Sequence, residues 1–361
     1  MDIVQLGLGG VGQALIGHVL ALGPRYPWLR YTALADRSGV AWQPGGWTAD
    51  GLRALLAAKG EGRALCDAWP GLPANEGRFI PAGRDLPAAV LPALTATGPG
   101  GSVLVDVTAE RGIYPTVLAA RAAGAHVVLC NKWALAEPQD RYDALLAAGP
   151  GRLLYETTVG AALPVLSTLD GLLQTGDEVT EIQASISGTL GYVTSRITEG
   201  IPFSTALREA QEQGYTEPDP RDDLAGIDAR RKALILARKL GMRLDMADLR
   251  VDSLVPPGLE DVPQTAFWEA LPAVDGAYAR RAAVAHARGD VLRFLATIDG
   301  SGARVGLEEV PLASLPGTLT GTESLFVFHT RRYGAQPLAV RGRGAGAELT
   351  AAGVLSDLLT L

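Results

Sequence analysis

Cysteine and histidine are scarce in this chain of 361 residues: there are two cysteines, Cys66 and Cys130, and four histidines. Two thiols cannot build a disulfide framework, so a reducing compartment fits, and the cytoplasm is the expected location. No close His/Cys spacing exists, which argues against a zinc site. No uninterrupted apolar run reaches the ~18 residues that a transmembrane helix needs. The N-terminus, MDIVQLGLGG, lacks a basic region and its apolar run is broken by glycines, so it does not read as a signal peptide. Basic charge is in deficit, with a formal net charge of -7, which argues against nucleic acid or an anionic membrane as the main partner. Charged residues are only 20% against 47% hydrophobic, so the chain is folded rather than disordered, and its length allows two domains with sizeable cores. Neither an internal repeat nor a low-complexity segment is present.

Glycine, by contrast, is abundant and placed with a pattern. Residues Asp2 to Leu6 form an apolar strand, Gly7-Leu8-Gly9-Gly10-Val11-Gly12 follows at once, and Gln13 to Leu22 continues as a buried helix. GxGxxG alone is a weak signal, but directly after a strand and directly before a helix it is much stronger. Glycines let the main chain approach a pyrophosphate, and the helix N-terminus offers free N–H groups. A second strand, Tyr31 to Ala35, ends in Asp36-Arg37. Asp36 lies 24 residues past Gly12, close to where a dinucleotide fold places an acid on the adenosine ribose. Arg37 beside it suits a 2′-phosphate, so the choice between NAD and NADP stays open. A surface turn is the plainer reading of the pair.

Strands and helices then alternate. Ser102 to Val107 is a strand ahead of Thr108, Pro115 to Ala123 a helix, and Val127 to Cys130 a strand ahead of Asn131-Lys132. This order implies a parallel sheet with right-handed crossovers, whose ligands bind at the carboxyl ends of strands. Thr108 and Lys132 stand at such ends; Lys132 also reads as an ordinary loop lysine. Gly51 to Lys59 is a short helix, Pro70 to Arg84 is loop-rich, and Cys66 reads as core. Leu153 to Glu156 is a further strand. A domain boundary is expected near residue 151. Beyond it come a strand over Val179 to Ile186, a turn at Ser187-Gly188-Thr189, and helices over Tyr192 to Glu199, Ser204 to Gln213 and Asp228 to Leu240. Pro256 to Phe267 is loop-rich, and Val291 to Asp299 with Gly302 to Val310 reads as a hairpin. Strands over Leu325 to His329 and Pro337 to Arg341 follow. Gly342-Arg343-Gly344-Ala345-Gly346 then precedes a helix over Ala347 to Thr360, a second Gly-rich helix entry that would return the tail to the first domain and add donors near a cofactor.

The densest charge lies in GYTEPDPRDDLAGIDARRKALILAR, residues 214–238. Two prolines keep Tyr215 to Pro220 out of a helix interior. Downstream, Asp228 and Lys232 sit four apart and share a helix face. With Glu217 and Asp223 they make three carboxylates and one ammonium at a loop-to-helix junction. That cluster reads either as a site or as a solvated helix start with a plain ion pair. Arg221, Arg230 and Arg231 read as solvated or structural, and Asp219 as a turn residue between prolines.

Taken together these segments resemble homoserine dehydrogenase. The resemblance rests on GLGGVG at 7–12, Asp106-Val107-Thr108, Asn131-Lys132, Glu156 to Pro164, Ser187-Gly-Thr-Leu-Gly-Tyr192, the run 214–238 and Gly342 to Gly346, in order along nearly the full chain. Gly191 stands where many relatives carry Asn or Ser. The resemblance is to the short form, without an aspartate kinase or a C-terminal regulatory domain. It implies an α/β fold: a Rossmann-like parallel-sheet domain over 1–150 completed by 342–361, and an α+β substrate-binding and dimerisation domain over 151–341. It implies interconversion of L-aspartate 4-semialdehyde and L-homoserine by hydride transfer with NADP or NAD, within threonine, methionine and isoleucine biosynthesis. Lys232 and Lys132 would serve the reacting oxygen, with Asp228 orienting Lys232; which lysine handles the proton stays open. Glu217 and Asp223 would bind the substrate ammonium, with Tyr215, Thr189 and Gly188 lining the pocket. Gly7, Gly9, Gly10, Val11, Gly12, Asp36, Arg37, Thr108, Lys132, Gly344 and Gly346 would bind the cofactor. Glu156 with the carbonyls of Val159, Ala161 and Leu163 would hold a sodium ion, an all-oxygen shell suited to a hard cation; a loop with no ion is the alternative. A homodimer is expected. Rival readings are another small-substrate dehydrogenase of similar build and a non-catalytic dinucleotide sensor.

Overall fold

The computed structural model describes residues 1–73, 76–83 and 85–361. The chain forms two compact units, Met1–Ala162 with Gly346–Leu361, and Leu163–Ala345. In the first, β1 (Asp2–Leu6), β2 (Arg30–Asp36), β3 (Gly39–Trp42), β4 (Arg78–Pro81), β5 (Ser102–Asp106), β6 (His126–Leu129) and β7 (Leu153–Leu154) build a sheet ordered β4-β3-β2-β1-β5-β6-β7. The pairs β2–β1, β1–β5, β5–β6 and β6–β7 are parallel. Ile3, Val4, Val103, Leu104, Val105, Val127 and Val128 are fully buried. Helices cover both faces, which is why the central strands read as continuous apolar runs.

The sequence pattern misses the antiparallel extension β3–β4, which adds to the edge of β2. β4 lies within 70–84, expected as loop; residues 74, 75 and 84 of that stretch lie outside the described residues. Cys66 is half-buried rather than core: its backbone N–H donates to Ser38 Oγ at 3.0 Å. The strand expected through Glu156 stops at Leu154, and Glu156–Thr158 turns as a 3-10 helix.

Residues 151–162 belong to the first unit because the C-terminal helix Ala347–Leu359 packs on them. Its Gly353 has no room for a side chain: a Cβ would stand 2.5 Å from Thr157 Cγ2 and 3.0 Å from the Ala161 carbonyl oxygen. Asp357 on the same helix accepts from the Glu156 N–H at 3.1 Å. Val354 and Leu358 share one core with Leu15, Ile16 and Val19 of the helix Gly10–Leu22.

The second unit holds β8 (Val179–Ser185), β9 (Arg250–Val251), β10 (Asp290–Asp299), β11 (Gly302–Pro311), β12 (Ser324–Thr330) and β13 (Leu338–Gly342), ordered β13-β12-β8-β10-β11-β9. Pairs are antiparallel except β11–β9. The hairpin runs in register from Asp290↔Pro311 to Asp299↔Gly302, and its turn is held by Ser301 N–H on Asp299 Oδ1 at 2.8 Å. Arg293, in the middle of β10, is buried, and among the described residues no carboxylate bonds to it. Its guanidinium instead donates to Thr198 Oγ1 and to the carbonyls of Leu292, Pro316, Gly317 and Leu319, which offsets the cost of burying the charge.

Ser187 is an N-cap, accepting from Leu190 N–H at 3.2 Å, so the expected turn at 187–189 is the start of the helix Gly188–Thr198. The helix Ile227–Lys239 begins after Gly226, whose φ of +67° suits glycine. The loop-rich 256–267 ends inside the helix Gln264–Ala270, and a helix at Asp275–Ala287 was not expected. Among the described residues, no helix is long and apolar enough to cross a membrane.

Candidate active site

β1 runs straight into Gly7, whose φ is +102°. A Cβ there would stand 2.9 Å from the Val107 carbonyl oxygen and 3.2 Å from Thr108 Cγ2. At Gly12 a Cβ would stand 2.1 Å from the Gly7 carbonyl oxygen. Both glycines are therefore needed for the turn to close on itself and on the end of β5. Gly9 is different: a Cβ would meet nothing within 4 Å, so its smallness leaves room outside the fold. Gly9 caps the helix Gly10–Leu22 with no side-chain bond, and the first turn, with Gly10, Val11 and Gly12, carries no acidic residue. The helix end thus offers free N–H groups and the positive end of its dipole to an anion. Gln5, fully buried, braces the turn: Nε2 donates to the Gly7 and Gly12 carbonyls at 2.9 and 3.1 Å, and Oε1 accepts from Tyr31 OH at 2.9 Å.

Asp36, at the end of β2, is held from four sides. Oδ1 accepts from Ser38 N–H at 2.8 Å and Ser38 Oγ at 2.5 Å. Oδ2 accepts from Lys59 Nζ and Leu65 N–H, both at 2.9 Å. Burial opposes its charge, but the bonds from Ser38, Lys59 and Leu65 win and hold its pKa below the usual carboxylate value. Arg37 next to it is exposed and has no hydrogen-bond partner among the described residues. Sequence reasoning missed Ser38 and Lys59, and nothing in the pattern links positions 36 and 59.

The ends of β5 and β6 are tied by a second network. Asp106 Oδ1 accepts from Thr108 N–H at 2.9 Å and Thr108 Oγ1 at 2.7 Å. Asn131 Nδ2 donates to Thr108 Oγ1 at 3.2 Å and to the Glu110 carbonyl at 2.9 Å, while its Oδ1 accepts from Trp133 N–H at 3.0 Å. Lys132 sits between the last two, half-buried, at the start of the 3-10 helix Trp133–Leu135. Asp106 is completely buried and, among the described residues, its Oδ2 has no hydrogen-bond partner; burial pushes its pKa up to about 6 against the bonds from Thr108. Burial also raises the Cys130 thiol.

In the second unit the start of the helix Gly188–Thr198 gathers the charged residues. Lys232 Nζ donates to the Ile186 carbonyl oxygen at 2.8 Å and pairs with Asp228 Oδ2 at 2.8 Å. One turn on from Ile186, Thr189 Oγ1 lies 2.9 Å from Asp223 Oδ1 and 2.5 Å from the Tyr215 carbonyl oxygen. Asp223 Oδ2 accepts from Glu217 N–H at 2.8 Å. Burial raises the Asp223 pKa, opposed by the bonds from Glu217 and Thr189. Thr189, Tyr215, Glu217 and Asp223 are thus linked by hydrogen bonds, while Lys232 and Asp228 pair beside Ile186, two residues before Gly188; Lys232 is only 16% exposed, Asp228 52% exposed, and Glu217 and Tyr215 open to solvent. The part played by the Ile186 carbonyl is invisible in sequence.

Glu156, Val159 and Ala161 lie in the first unit, where Gly160 and Ala161 have φ of +91° and +54°; Leu163 opens the second. Among the described residues, no group of three or more His, Cys, Asp or Glu side chains is arranged to hold a metal ion. Gly346, with φ of +119°, caps the C-terminal helix, and Gly344 precedes it.

Residues 164–359 match the family model described as homoserine dehydrogenase. A homoserine dehydrogenase of Emericella nidulans is 38% identical over 283 residues, covering 73% of this chain and 76% of the relative. A chloroplastic bifunctional aspartokinase/homoserine dehydrogenase of Zea mays is 42% identical over 265 residues, 72% of this chain; the match spans 29% of that longer relative. A solved structure of a putative homoserine dehydrogenase from Archaeoglobus fulgidus superposes with a TM-score of 0.75 at 27% identity, covering 100% of this chain and 98% of that one. With the family model matching more than half of the chain and a curated homoserine dehydrogenase 38% identical over 73% of it, the chain belongs to the homoserine dehydrogenase family.

Proposed function

We propose that this chain interconverts L-homoserine and L-aspartate 4-semialdehyde by hydride transfer with NADP(H). The observation that carries the reading is the meeting of Lys232 and Asp223 at one helix start, through Ile186 and Thr189. An amino-acid substrate needs acids for its ammonium and a cation for its reacting oxygen, and this junction offers both.

The bound nicotinamide would supply or accept the hydride at its C4. In the reductive direction the substrate carbonyl oxygen gains negative charge and then a proton. Among the described residues Lys232 has two partners, the Ile186 carbonyl and Asp228, for its three N–H groups, and the third would donate to that oxygen. Asp228 holds the ammonium from the helix side and, being half-exposed, links it to solvent for proton return. In the oxidative direction the hydroxyl proton leaves by the same route while the hydride goes to the cofactor. Lys132 is the second candidate for the oxygen. Glu217 and Asp223 would take the substrate ammonium, with Thr189, Gly188 and Tyr215 around it.

The NADP form of the reading rests on the second strand end. Asp36 has both carboxylate oxygens committed to internal donors, and Arg37 beside it is exposed, with no hydrogen-bond partner among the described residues. A ribose 2′-hydroxyl would find the acid occupied, whereas a 2′-phosphate would find a guanidinium. Gly7, Gly9, Gly10, Val11 and Gly12 would take the pyrophosphate, Thr108 would contact the cofactor from the neighbouring strand end, and Gly344 and Gly346 would add backbone donors. A structural sodium ion on Glu156, Val159, Ala161 and Leu163 and a homodimer complete the proposal; the first is checked by melting in sodium against a large organic cation, the second by light scattering.

The function is tested by following reduced-nicotinamide absorbance with L-homoserine and each cofactor. Turnover that disappears in Glu217→Ala with cofactor binding intact supports the substrate assignment. No turnover by the wild-type chain with either cofactor rejects the function.

A further inference from the structure

Glu217 lies on a loop whose middle is exposed, with Tyr215, Glu217 and Pro218 facing solvent, and Asp223 in the short helix Pro220–Leu224 that follows it. Two prolines stiffen the loop but do not determine where it points. The Glu217 N–H bond to Asp223 couples the two acids, yet leaves the rung between them, Pro218 to Pro220, to be placed by something else. That rung meets one residue repeatedly. Arg221 Nε donates to Asp219 Oδ1 at 2.9 Å and Nη2 to Asp219 Oδ2 at 2.6 Å. On its other side Nη1 reaches the carbonyls of Val262 at 2.6 Å, Glu260 at 3.0 Å and Leu259 at 3.3 Å. The guanidinium also sits 5.5 Å from the Phe267 ring centroid, and Gln264 Nε2 donates to the Pro218 carbonyl at 2.9 Å. The Arg221 side chain is only 16% exposed.

We infer that Arg221 is a positioning residue that sets the substrate-binding carboxylates Glu217 and Asp223 by fastening the segment that carries them to the stretch Leu259–Val262. The inference rests on the homoserine reading above. A planar fork with donors on three nitrogens can hold a carboxylate on one edge and a row of carbonyls on the other; a lysine ammonium cannot cover both edges. The stretch 256–267, featureless as sequence, becomes the abutment of the substrate loop. Two acids that must grip one ammonium tolerate little displacement, and a shift of about 1 Å in such groups costs up to ~100-fold.

The test uses the full chain with Arg221→Lys, Arg221→Ala and Gln264→Ala, comparing KM for L-homoserine, KM for cofactor, kcat and thermal melting. Arg221→Ala raises the KM for L-homoserine about tenfold or more, Arg221→Lys less, while kcat at saturating homoserine and KM for cofactor stay within about twofold. A folded Arg221→Ala with an unchanged homoserine KM overturns the inference, as does a parallel rise in both KM values, which general loosening would give. Should Arg221→Ala not fold, Gln264→Ala, which removes only the bond to Pro218, must show the same selective rise. A wild-type chain that does not turn over homoserine overturns the functional reading and the inference together, a result distinct from a wild type that is active and variants that match it.

Discussion

Lys232 Nζ lies 2.8 Å from Asp228 Oδ2 and 2.8 Å from the Ile186 carbonyl oxygen. An exposed i,i+4 pair would contribute only a few tenths of a kcal/mol, but this ammonium is largely withdrawn from solvent and has a backbone partner as well. The proposed role makes Lys232 a donor to the reacting oxygen. Lys232→Ala is expected to lower kcat by roughly 10²–10⁴-fold with cofactor affinity unchanged. Asp228→Asn should cost less, because it orients rather than donates. Steady-state kinetics with parallel melting curves decide it: a lower melting point with unaltered kcat would reduce the pair to structure.

Arg37 yields a prediction about cofactor choice. If it meets a 2′-phosphate, Arg37→Ala removes a charge-assisted interaction of ~1.5–3 kcal/mol, a tenfold or greater rise in KM for NADPH. KM for NADH should hardly move, since NADH has no group there. Measuring both cofactors on the same preparation checks it, and an equal loss with each would refute the 2′-phosphate role.

Gly9 and Gly12 differ in what a methyl group would meet, and so in the expected defect. At Gly12 a Cβ would be 2.1 Å from the backbone oxygen of Gly7, which cannot move without opening the turn. Gly12→Ala should destabilise the fold by ~1–3 kcal/mol and lower the melting point. At Gly9 the same methyl meets no protein atom within 4 Å. Gly9→Ala should melt like wild type and still bind cofactor more weakly, because the methyl stands where the pyrophosphate would approach. Melting curves and cofactor fluorescence titrations separate the two; identical behaviour of both variants would contradict this division of labour.

The same contrast shows what could be read from the chain alone. The strand–glycine–helix opening is legible because its signal is local: apolar run, glycines and buried helix follow within 22 residues. The β10–β11 hairpin is legible for the same reason, since its turn residues adjoin both strands. The helix Asp275–Ala287 is hidden because its face is built from alanine: its one buried residue is Ala285, so no stripe of large apolar residues marks it. Helix Leu86–Thr95 carries Pro92 in its interior, a residue that reads as a breaker. The charged residues at 217–232 stand out in the sequence as a cluster, but their partners do not. Lys59 reaches Asp36 across 23 positions and Lys232 reaches Ile186 across 46, and such pairings are products of the packed sheet.

Asp106 gives a pH dependence whose sign follows from burial. Its carboxyl ionises at about 6 in the folded chain, against ~3.9 when unfolded. Between those values the folded chain binds more protons than the unfolded one, so this group's contribution to stability declines as pH rises from about 4 to about 6 and stays at its lowest above that range. Glu110 adds to the effect as a nearby negative charge. Asp106→Asn cannot titrate but keeps an oxygen for Thr108. Its stability relative to wild type should therefore improve steadily from pH 4 to pH 6, by a few kcal/mol in total at ~1.4 kcal/mol for each pH unit over which the states differ by one proton, and then level off. Denaturant unfolding of both chains across that range reads the difference directly. A gap that is constant with pH would mean that Asp106 titrates alike in the folded and unfolded chains, so that burial does not raise its pKa.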